Sequence, residues 1–276
     1  MNLKTIYLKR GKWAHKGDFG NVLIVAGSRM YSGSPIFNAM SALRCGADLI
    51  SVVGHRRAMD IVANFLPDMI THPLEDGLLK NNADEVFGLS SKFHSLVIGG
   101  GLDRSEESHR AIRAVISKIE LPMIIDAEAV RAVAGYEEIL KGKKVVLTPN
   151  VPELEALTGE KVGNSVEERE EKVRACAEKF GAVVVLKGNV DVISDGEKTI
   201  LNRTGNPFMS KGGFGDTLAG VCGALLARGV EPLEAARWAC FINGTAGDLA
   251  AKKFGESLIA SDIFDFFPKA IKGDKK

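Results

Sequence analysis

Short apolar runs rich in β-branched residues recur along the chain, and each ends at Gly, Pro, Asp or Asn. Such runs are typical of strands in a parallel sheet that helices cover on both faces. Strands are predicted over 21–28, 49–54, 95–101, 122–127, 144–150 and 182–188. The segments between them predict helices over 34–46, 105–118, 126–140, 152–158 and 165–180.

The alternation changes after residue 190. An Asp-Gly pair within residues 191–202 separates two short runs, which predicts an antiparallel hairpin. Helices alone are predicted beyond it, over 215–228, 232–253 and 261–272. The pattern therefore predicts one doubly wound α/β domain, with a mainly parallel central sheet flanked by helices. In such sheets ligands bind beyond the carboxyl ends of the strands.

Composition and charge reduce the number of functions that this chain could have. The 276 residues carry 36 Lys and Arg against 35 Asp and Glu, a formal net charge of +1. This balance gives no electrostatic reason to expect nucleic acid or an anionic membrane as the main partner. The four cysteines stand far apart without a C-x-x-C pair, which favours buried thiols in a reducing compartment. Without an apolar signal segment or a run near the roughly 20 residues of a membrane span, we expect a soluble, cytoplasmic protein.

The segment KGGFGDTLAG, residues 211–220, places Gly212, Gly213 and Gly215 around Asp216 at the start of an apolar helix. Free backbone N–H groups and the helix dipole favour an anion there, and glycines let a phosphate come close. The alternative is that Asp216 only complements the helix dipole, as acidic residues in a first helical turn commonly do. Because a cap does not require so many glycines, we interpret the segment as a phosphate site. Asp216 would take a proton from a hydroxyl that attacks the held phosphoryl group.

The segment TPNVPELEALTG, residues 148–159, places Asn150 and Glu153 three positions apart at the start of a short helix. This spacing brings an amide oxygen and a carboxylate to one side. Hard oxygen ligands of this kind suit Mg²⁺ beside a nucleotide phosphate, often through water. The alternative is a plain helix start, with Asn150 as N-cap and Glu153 as its capping-box partner. Both interpretations stay open.

Other polar residues are predicted at the same edge of the sheet. Lys187 and Gly188 end a strand. Lys187 is interpreted either as a residue that binds a nucleotide phosphate or as a solvated lysine at the surface. Asp126 is most simply a helix cap, although its position at the edge allows a polar substrate contact. The glycine-rich strand ends at 26–35 and 98–104 are interpreted as loops that face a ligand.

The order of these segments resembles that of the ribokinase-like superfamily and, more closely, the ADP/ATP-dependent NAD(P)H-hydrate dehydratase family. The resemblance extends over residues 15–250. It rests on HKGDFGNVLIVAGS, GSPIFNAMSALRCGADLISV, VIGGGL, PMIIDAEAV, VVLTPNVPE, VVLKGNVDVI and TGNPFMSKGGFGDTLAG. It implies a single ribokinase-like domain over residues 1–276, without the epimerase domain often fused to this family.

The resemblance implies an enzyme of nicotinamide nucleotide repair, a hydro-lyase. Its substrate would be the 6-hydroxy hydrate of NADH or NADPH. With Mg²⁺, ADP or ATP would phosphorylate the hydroxyl, and elimination of phosphate would restore NAD(P)H. The resemblance also suggests a homo-oligomer, a tetramer. The alternatives are a kinase that keeps its phosphorylated alcohol, sugar or hydroxymethylpyrimidine-type product, and a non-catalytic nucleotide sensor.

The family's functional residues can be assigned, one at a time, to matching positions of this sequence. The resemblance implies that Asp216 is the base and that Gly213, Phe214 and Gly215 form the anion hole. The implied nucleotide contacts are Lys187, Gly188, Asn189, Val190, Asp191 and Gly215. The implied substrate contacts are Ser34, which is usually Ala in the family, Gly101, Asn150 and Asp216. Two positions depart from the family's pattern, since Asn150 replaces a His and Phe214 replaces a Thr.

Overall fold

The fold is built on one mixed β-sheet, shown by a computed structural model that describes residues 2–78 and 82–273. Its strands are β1 Asn21–Val25, β2 Leu49–His55, β3 Met69–Leu74, β4 Ser95–Ile98, β5 Met123–Ile125, β6 Val145–Leu147, β7 Val183–Leu186, β8 Asp191–Ser194 and β9 Thr199–Asn202. Their order across the sheet is β3-β2-β1-β4-β5-β6-β7-β8-β9. β1 to β7 pair in parallel, so their carboxyl ends meet at one edge. β8 and β9 add the predicted antiparallel hairpin.

Helices cover both faces of this sheet. They are α1 Leu3–Ile6, α2 Gly33–Arg44, α3 Arg56–Phe65, α4 Ala83–Ser90, α5 Glu106–Lys118, α6 Glu128–Ala132, α7 Val151–Thr158, α8 Val166–Phe180, α9 Phe214–Ala227, α10 Pro232–Phe254 and α11 Phe267–Lys272. The predicted α/β fold, with a mainly parallel sheet flanked by helices, is confirmed. None of the helices within the described ranges has the length and apolarity that a membrane crossing requires.

Two apolar cores form because side chains alternate between the faces of each strand. Val22 and Ile24 of β1 belong to the core that includes residues of α2, α3, α9, α10 and α11, whereas Leu23 and Val25 belong to the core that includes residues of the helices from α4 to α8. All four side chains are fully buried. Burying a side chain of this size contributes roughly 1.5–3 kcal/mol, so the central strands are the rigid support of the sheet's edge.

Two predicted helices are wrong in extent. The helix expected over 126–140 ends at Ala132, and a separate 3₁₀ turn covers Glu137–Leu140. Gly135 between them has a φ of +77°, which a continuing helix does not allow. The helix expected over 261–272 is a 3₁₀ segment, Ala260–Asp265, followed by α11. A proline lies in the first turn of α11, where it lacks the N–H group that a continuous helix would use.

Candidate active site

A cavity of about 780 Å³ opens where the carboxyl ends of the parallel strands meet the start of α9. The sequence-predicted residues that line it are Ser34, Gly101, Asn150, Glu153, Lys187, Gly188, Asn189, Asp191, Gly213, Phe214, Gly215 and Asp216. Val190 is the predicted contact that does not line it. The topology therefore brings together segments from α2 to α9 that are far apart in the sequence.

The start of α9 forms one wall of the cavity. Gly213 is its N-cap with a φ of +98°, and no side chain caps the helix. Its first backbone N–H groups therefore lack the usual side-chain partner, which makes them available to an anion. Phe214 is only 5% exposed because its ring packs in the core. Replacing the family's Thr with Phe thus leaves the backbone contribution to an anion hole in place.

Asp216 lies in the first turn of α9 and contacts α2. Ser34 Oγ donates a hydrogen bond to its Oδ2 over 3.2 Å, and Asn38 Nδ2 donates to its backbone oxygen over 2.7 Å. The pKa of Asp216 is raised to about 7, chiefly by burial and next by the charge of Asp126, although Ser34 and Lys187 act in the opposite direction. A carboxyl group that changes protonation near neutral pH suits general-base work.

Lys187, at the end of β7, links the carboxylates of the site. Its Nζ lies 2.9 Å from Asp126 Oδ1 and 3.9 Å from Glu153 Oε2. Burial lowers the pKa of this lysine, but the charges of Asp126, Glu153 and Asp216 and the hydrogen bond to Asp126 together outweigh burial and raise it. A Cβ on Gly215 would lie 3.3 Å from Nζ, so the ammonium group also adjoins the start of α9. Lys187 is not a merely solvated lysine; it can bind a phosphate held on that helix.

Asp126 does not cap a helix, contrary to the simplest sequence interpretation. The N-cap of α6 is Ala127, which makes no side-chain capping bond. The Asp126 carboxylate instead accepts hydrogen bonds from the Thr148 hydroxyl over 2.8 Å and from Lys187. Asp126 is therefore part of the charged cluster that lines the cavity, together with Lys187 and Glu153.

Asn150 and Glu153 form the reciprocal capping box of α7. Asn150 Oδ1 accepts from the Glu153 N–H, and Glu153 Oε2 accepts from the Asn150 N–H, each over 2.9 Å. Across residues 2–78 and 82–273, no three His, Cys, Asp or Glu side chains come together as a metal site. The oxygen donors present fit Mg²⁺ only when it is held mainly by phosphates and water, with Glu153 as an outer partner.

Asp191 shapes the turn between β7 and β8. Its Oδ1 accepts the Gly188 N–H over 3.0 Å, and its Oδ2 accepts from Asn202 Nδ2 over 2.9 Å. Both oxygens thus bond within the protein, and burial raises the pKa of this carboxyl group. Its side chain holds Gly188 and Asn189 at the edge of the cavity.

Sequence reasoning assigned no site residue in the segment 204–211, which leads into the start of α9 and most of which lines the cavity. Asp248 of α10 holds this segment, accepting from the Gly205 N–H and from Asn206 Nδ2, each over 3.0 Å. It also missed Asn38. The spacing of Ser34 and Asn38, four residues apart on one predicted helix, was the available signal.

Comparisons with known sequences identify relatives that cover most of this chain. The family model for NAD(P)H-hydrate dehydratase matches residues 22–269. The bifunctional NAD(P)H-hydrate repair enzyme Nnr of Pyrobaculum aerophilum is 39% identical over 260 residues, covering 93% of this chain and 51% of that protein. The chain thus spans about half the length of such bifunctional relatives. The ADP-dependent (S)-NAD(P)H-hydrate dehydratase of Cenarchaeum symbiosum is 35% identical over 265 residues, covering 95% of this chain and 92% of that protein.

A solved structure has the same fold. The ADP/ATP-dependent NAD(P)H-hydrate dehydratase of Bacillus subtilis, co-crystallized with ATP/Mg²⁺, superposes with a TM-score of 0.85 and 27% identity. The match covers 98% of this chain and 95% of the other. With the family model matching most of its length, the chain belongs to the NAD(P)H-hydrate dehydratase family.

Proposed function

We propose that this chain dehydrates the 6-hydroxy hydrate of NADH or NADPH, with ADP or ATP as phosphoryl donor. The observation that carries the proposal is the position of Asp216. Its carboxyl group, with a pKa raised by burial, lies in the first turn of a helix whose N–H groups no side chain caps. A base and an anion site therefore occupy the same helical turn.

The reaction follows from that arrangement. The N–H groups at Gly213, Phe214 and Gly215 hold the terminal phosphoryl group of the nucleotide, and Asp216 takes the proton from the substrate hydroxyl. The hydroxyl oxygen bonds to phosphorus as the bond to the leaving nucleotide breaks. The phosphate ester is then eliminated, its C–O bond breaking with loss of a neighbouring ring proton, which restores NAD(P)H. The chain supplies mainly orientation and charge, as phosphoryl transfer requires.

The remaining site residues bind the two ligands in this proposal. The nucleotide contacts Lys187, Gly188, Asn189, Val190, Asp191 and Gly215. The substrate contacts Ser34, Gly101, Asn150 and Asp216. Bound Mg²⁺, which Asn150 and Glu153 would hold through water, offsets the negative charge of the phosphates. The family resemblance further supports a homo-oligomer, proposed as a tetramer, and a cytoplasmic location.

The test mixes the purified protein with hydrated NADH, Mg²⁺ and either ADP or ATP. We expect NADH absorbance to return together with an equal amount of free phosphate, with one nucleotide and not without it. The nucleotide that supports recovery identifies the donor. A stable phosphoester without recovery of NADH would contradict the proposal and favour the kinase alternative, for which Asn150 in place of His would be the first residue to examine.

A further inference from the structure

Two polar side chains of α2 hold Asp216 from one side. Ser34 and Asn38 are four residues apart, so they lie on the same face of the helix. Ser34 Oγ donates to Asp216 Oδ2, and Asn38 Nδ2 donates to the Asp216 backbone oxygen. The second bond fixes the orientation of the Asn38 amide, because its NH₂ group has to face the carbonyl.

The amide oxygen of Asn38 lacks a comparable partner. The residue is 1% exposed, and among the described residues none donates a hydrogen bond to its Oδ1. A buried acceptor without a donor destabilises the folded state. A donor that forms during the reaction would remove that penalty.

Gly100 shows what lies near this oxygen. A Cβ on Gly100 would be 2.7 Å from Asp216 Oδ1 and 3.1 Å from Asn38 Oδ1, so both oxygens approach the same side of the glycine. The two oxygens of the Asp216 carboxyl group therefore have different surroundings. Oδ2 accepts from a donor, the Ser34 hydroxyl, whereas Oδ1 lies on the same side of Gly100 as an acceptor, the Asn38 amide oxygen.

We propose that Ser34 and Asn38 are positioning residues that direct the abstracted proton to Oδ1 of Asp216. The inference rests on the proposed function for its catalytic meaning. The substrate O–H bond breaks, its electron pair stays on the oxygen that attacks phosphorus, and the proton binds Oδ1. The protonated Oδ1 then donates to Asn38 Oδ1, while Oδ2 keeps the hydrogen bond from Ser34. Ser34 thus stabilises the ionised base, and Asn38 stabilises its protonated form.

Other charged groups also face Asp216. Asp126 acts from the end of β5, Glu153 from α7 and Lys187 from the end of β7. These three charged groups stay the same when residues of α2 are substituted. A change in the pKa of Asp216 between such variants therefore reports on α2 itself.

The test measures the pKa of Asp216 from its carboxyl ¹³C shift, in protein labelled with ¹³C-aspartate and with Asp216→Asn identifying the resonance. Ser34→Ala is expected to raise this pKa and Asn38→Leu to lower it. Each shift should be about 0.5–1 pH unit, which corresponds to a net hydrogen bond of about 1 kcal/mol. Ser41→Ala changes another buried residue of α2, one turn further along, and should leave the pKa unchanged.

Opposite shifts are the signature that a purely structural role would not produce. Asn38→Ala, a smaller change, takes the place of Asn38→Leu if circular dichroism shows that the latter does not fold. Shifts in the same direction, or a pKa that neither variant moves, would overturn the inference. The titration needs no substrate, so a failed dehydratase assay would overturn the proposed function without altering this result.

Discussion

The ammonium group of Lys187 lies 2.9 Å from Asp126 Oδ1 and joins the ends of two strands that are not neighbours in the sheet. Lys187 follows β7 and Asp126 follows β5, with β6 between them. Glu153 adds a second carboxylate 3.9 Å from the same nitrogen. The positive charge of Lys187 therefore offsets the negative charges of Asp126 and Glu153, which would otherwise repel each other and a bound phosphate.

Replacing that lysine should damage stability and nucleotide binding together. Lys187→Gln leaves Asp126 buried without its cation, so we expect the free energy of unfolding at pH 7.5 to fall by about 3 kcal/mol. Nucleotide affinity should fall at least about tenfold, since an ionic contact worth about 1.4 kcal/mol is lost. Urea unfolding and calorimetric titration with ADP and ATP measure the two effects. Lys144→Gln, at an exposed pair with Glu231, is the control; equal destabilisation by both variants would contradict the role given to Lys187.

Asp216→Asn should abolish turnover while nucleotide binding survives. The amide cannot accept the hydroxyl proton, and general-base catalysis alone typically contributes about 10²–10⁴-fold. Steady-state rates with hydrated NADH and the dissociation constant of the nucleotide check the two halves of this prediction. A variant as active as the parent would remove Asp216 from the role of base.

The same variant should be more stable than the parent at high pH. Because burial raises the pKa of Asp216 to about 7 from 3.8, the folded protein binds the proton more tightly than the unfolded chain does. The stabilisation is complete below pH 4 and is lost as the pH rises to 7. Removing the ionised group should therefore raise the free energy of unfolding at pH 8 by up to about 4 kcal/mol, and by much less at pH 4. Urea unfolding at both values tests this; a gain independent of pH would contradict it.

Gly100→Ala should displace the base without unfolding the protein. Its methyl group would lie 2.7 Å from Asp216 Oδ1, and since the φ of Gly100 is not positive, the effect comes from contact. A displacement of the carboxyl group by about 1 Å should lower kcat by about 10²-fold. The melting temperature and kcat are measured beside those of Gly88→Ala, whose methyl group would meet nothing within 4 Å. Full activity in Gly100→Ala would show that Asp216 Oδ1 is free to move.

Ala127→Gly should stabilise the protein. Ala127 has a φ of 49° and a ψ of −119°, and it is the single non-glycine residue with positive φ in the described ranges. Such strain costs on the order of 1–3 kcal/mol, whereas the added freedom of glycine costs about 0.5–1 kcal/mol. We expect a net gain of about 1 kcal/mol in urea unfolding. Ala129→Gly, inside α6, should instead destabilise; a loss in both variants would contradict the strain at Ala127.

Much of the fold was predictable because the parallel strands are buried on both faces and their apolar runs are continuous. β3, Met69–Leu74, was missed because it is an edge strand, partly exposed and interrupted by a proline. α3 and α4 were missed with it. The break at Gly135 depends on a local backbone conformation that a helical pattern does not reveal.

The site was predictable in outline, since glycine-rich strand ends and the start of α9 mark its edge. The pairing of Lys187 with Asp126 was not, because it depends on the order of strands in the sheet. The same holds for Asn38, whose role emerges only when α2 packs beside α9. The functional roles of the individual residues stay predictions that the experiments above test.

The hydrogen bond between Ser34 and Asp216 joins residues 182 positions apart. During synthesis the chain emerges from its N-terminus, so α2 and the turn at Lys187 exist well before the helix that carries the base. A partly made chain thus contains the segments that form the strand ends of the site but lacks Gly213, Phe214, Gly215 and Asp216, the residues proposed as anion hole and base. Under the proposed mechanism, phosphoryl transfer is therefore confined to chains that have completed folding, and unfinished chains would not consume nucleotide.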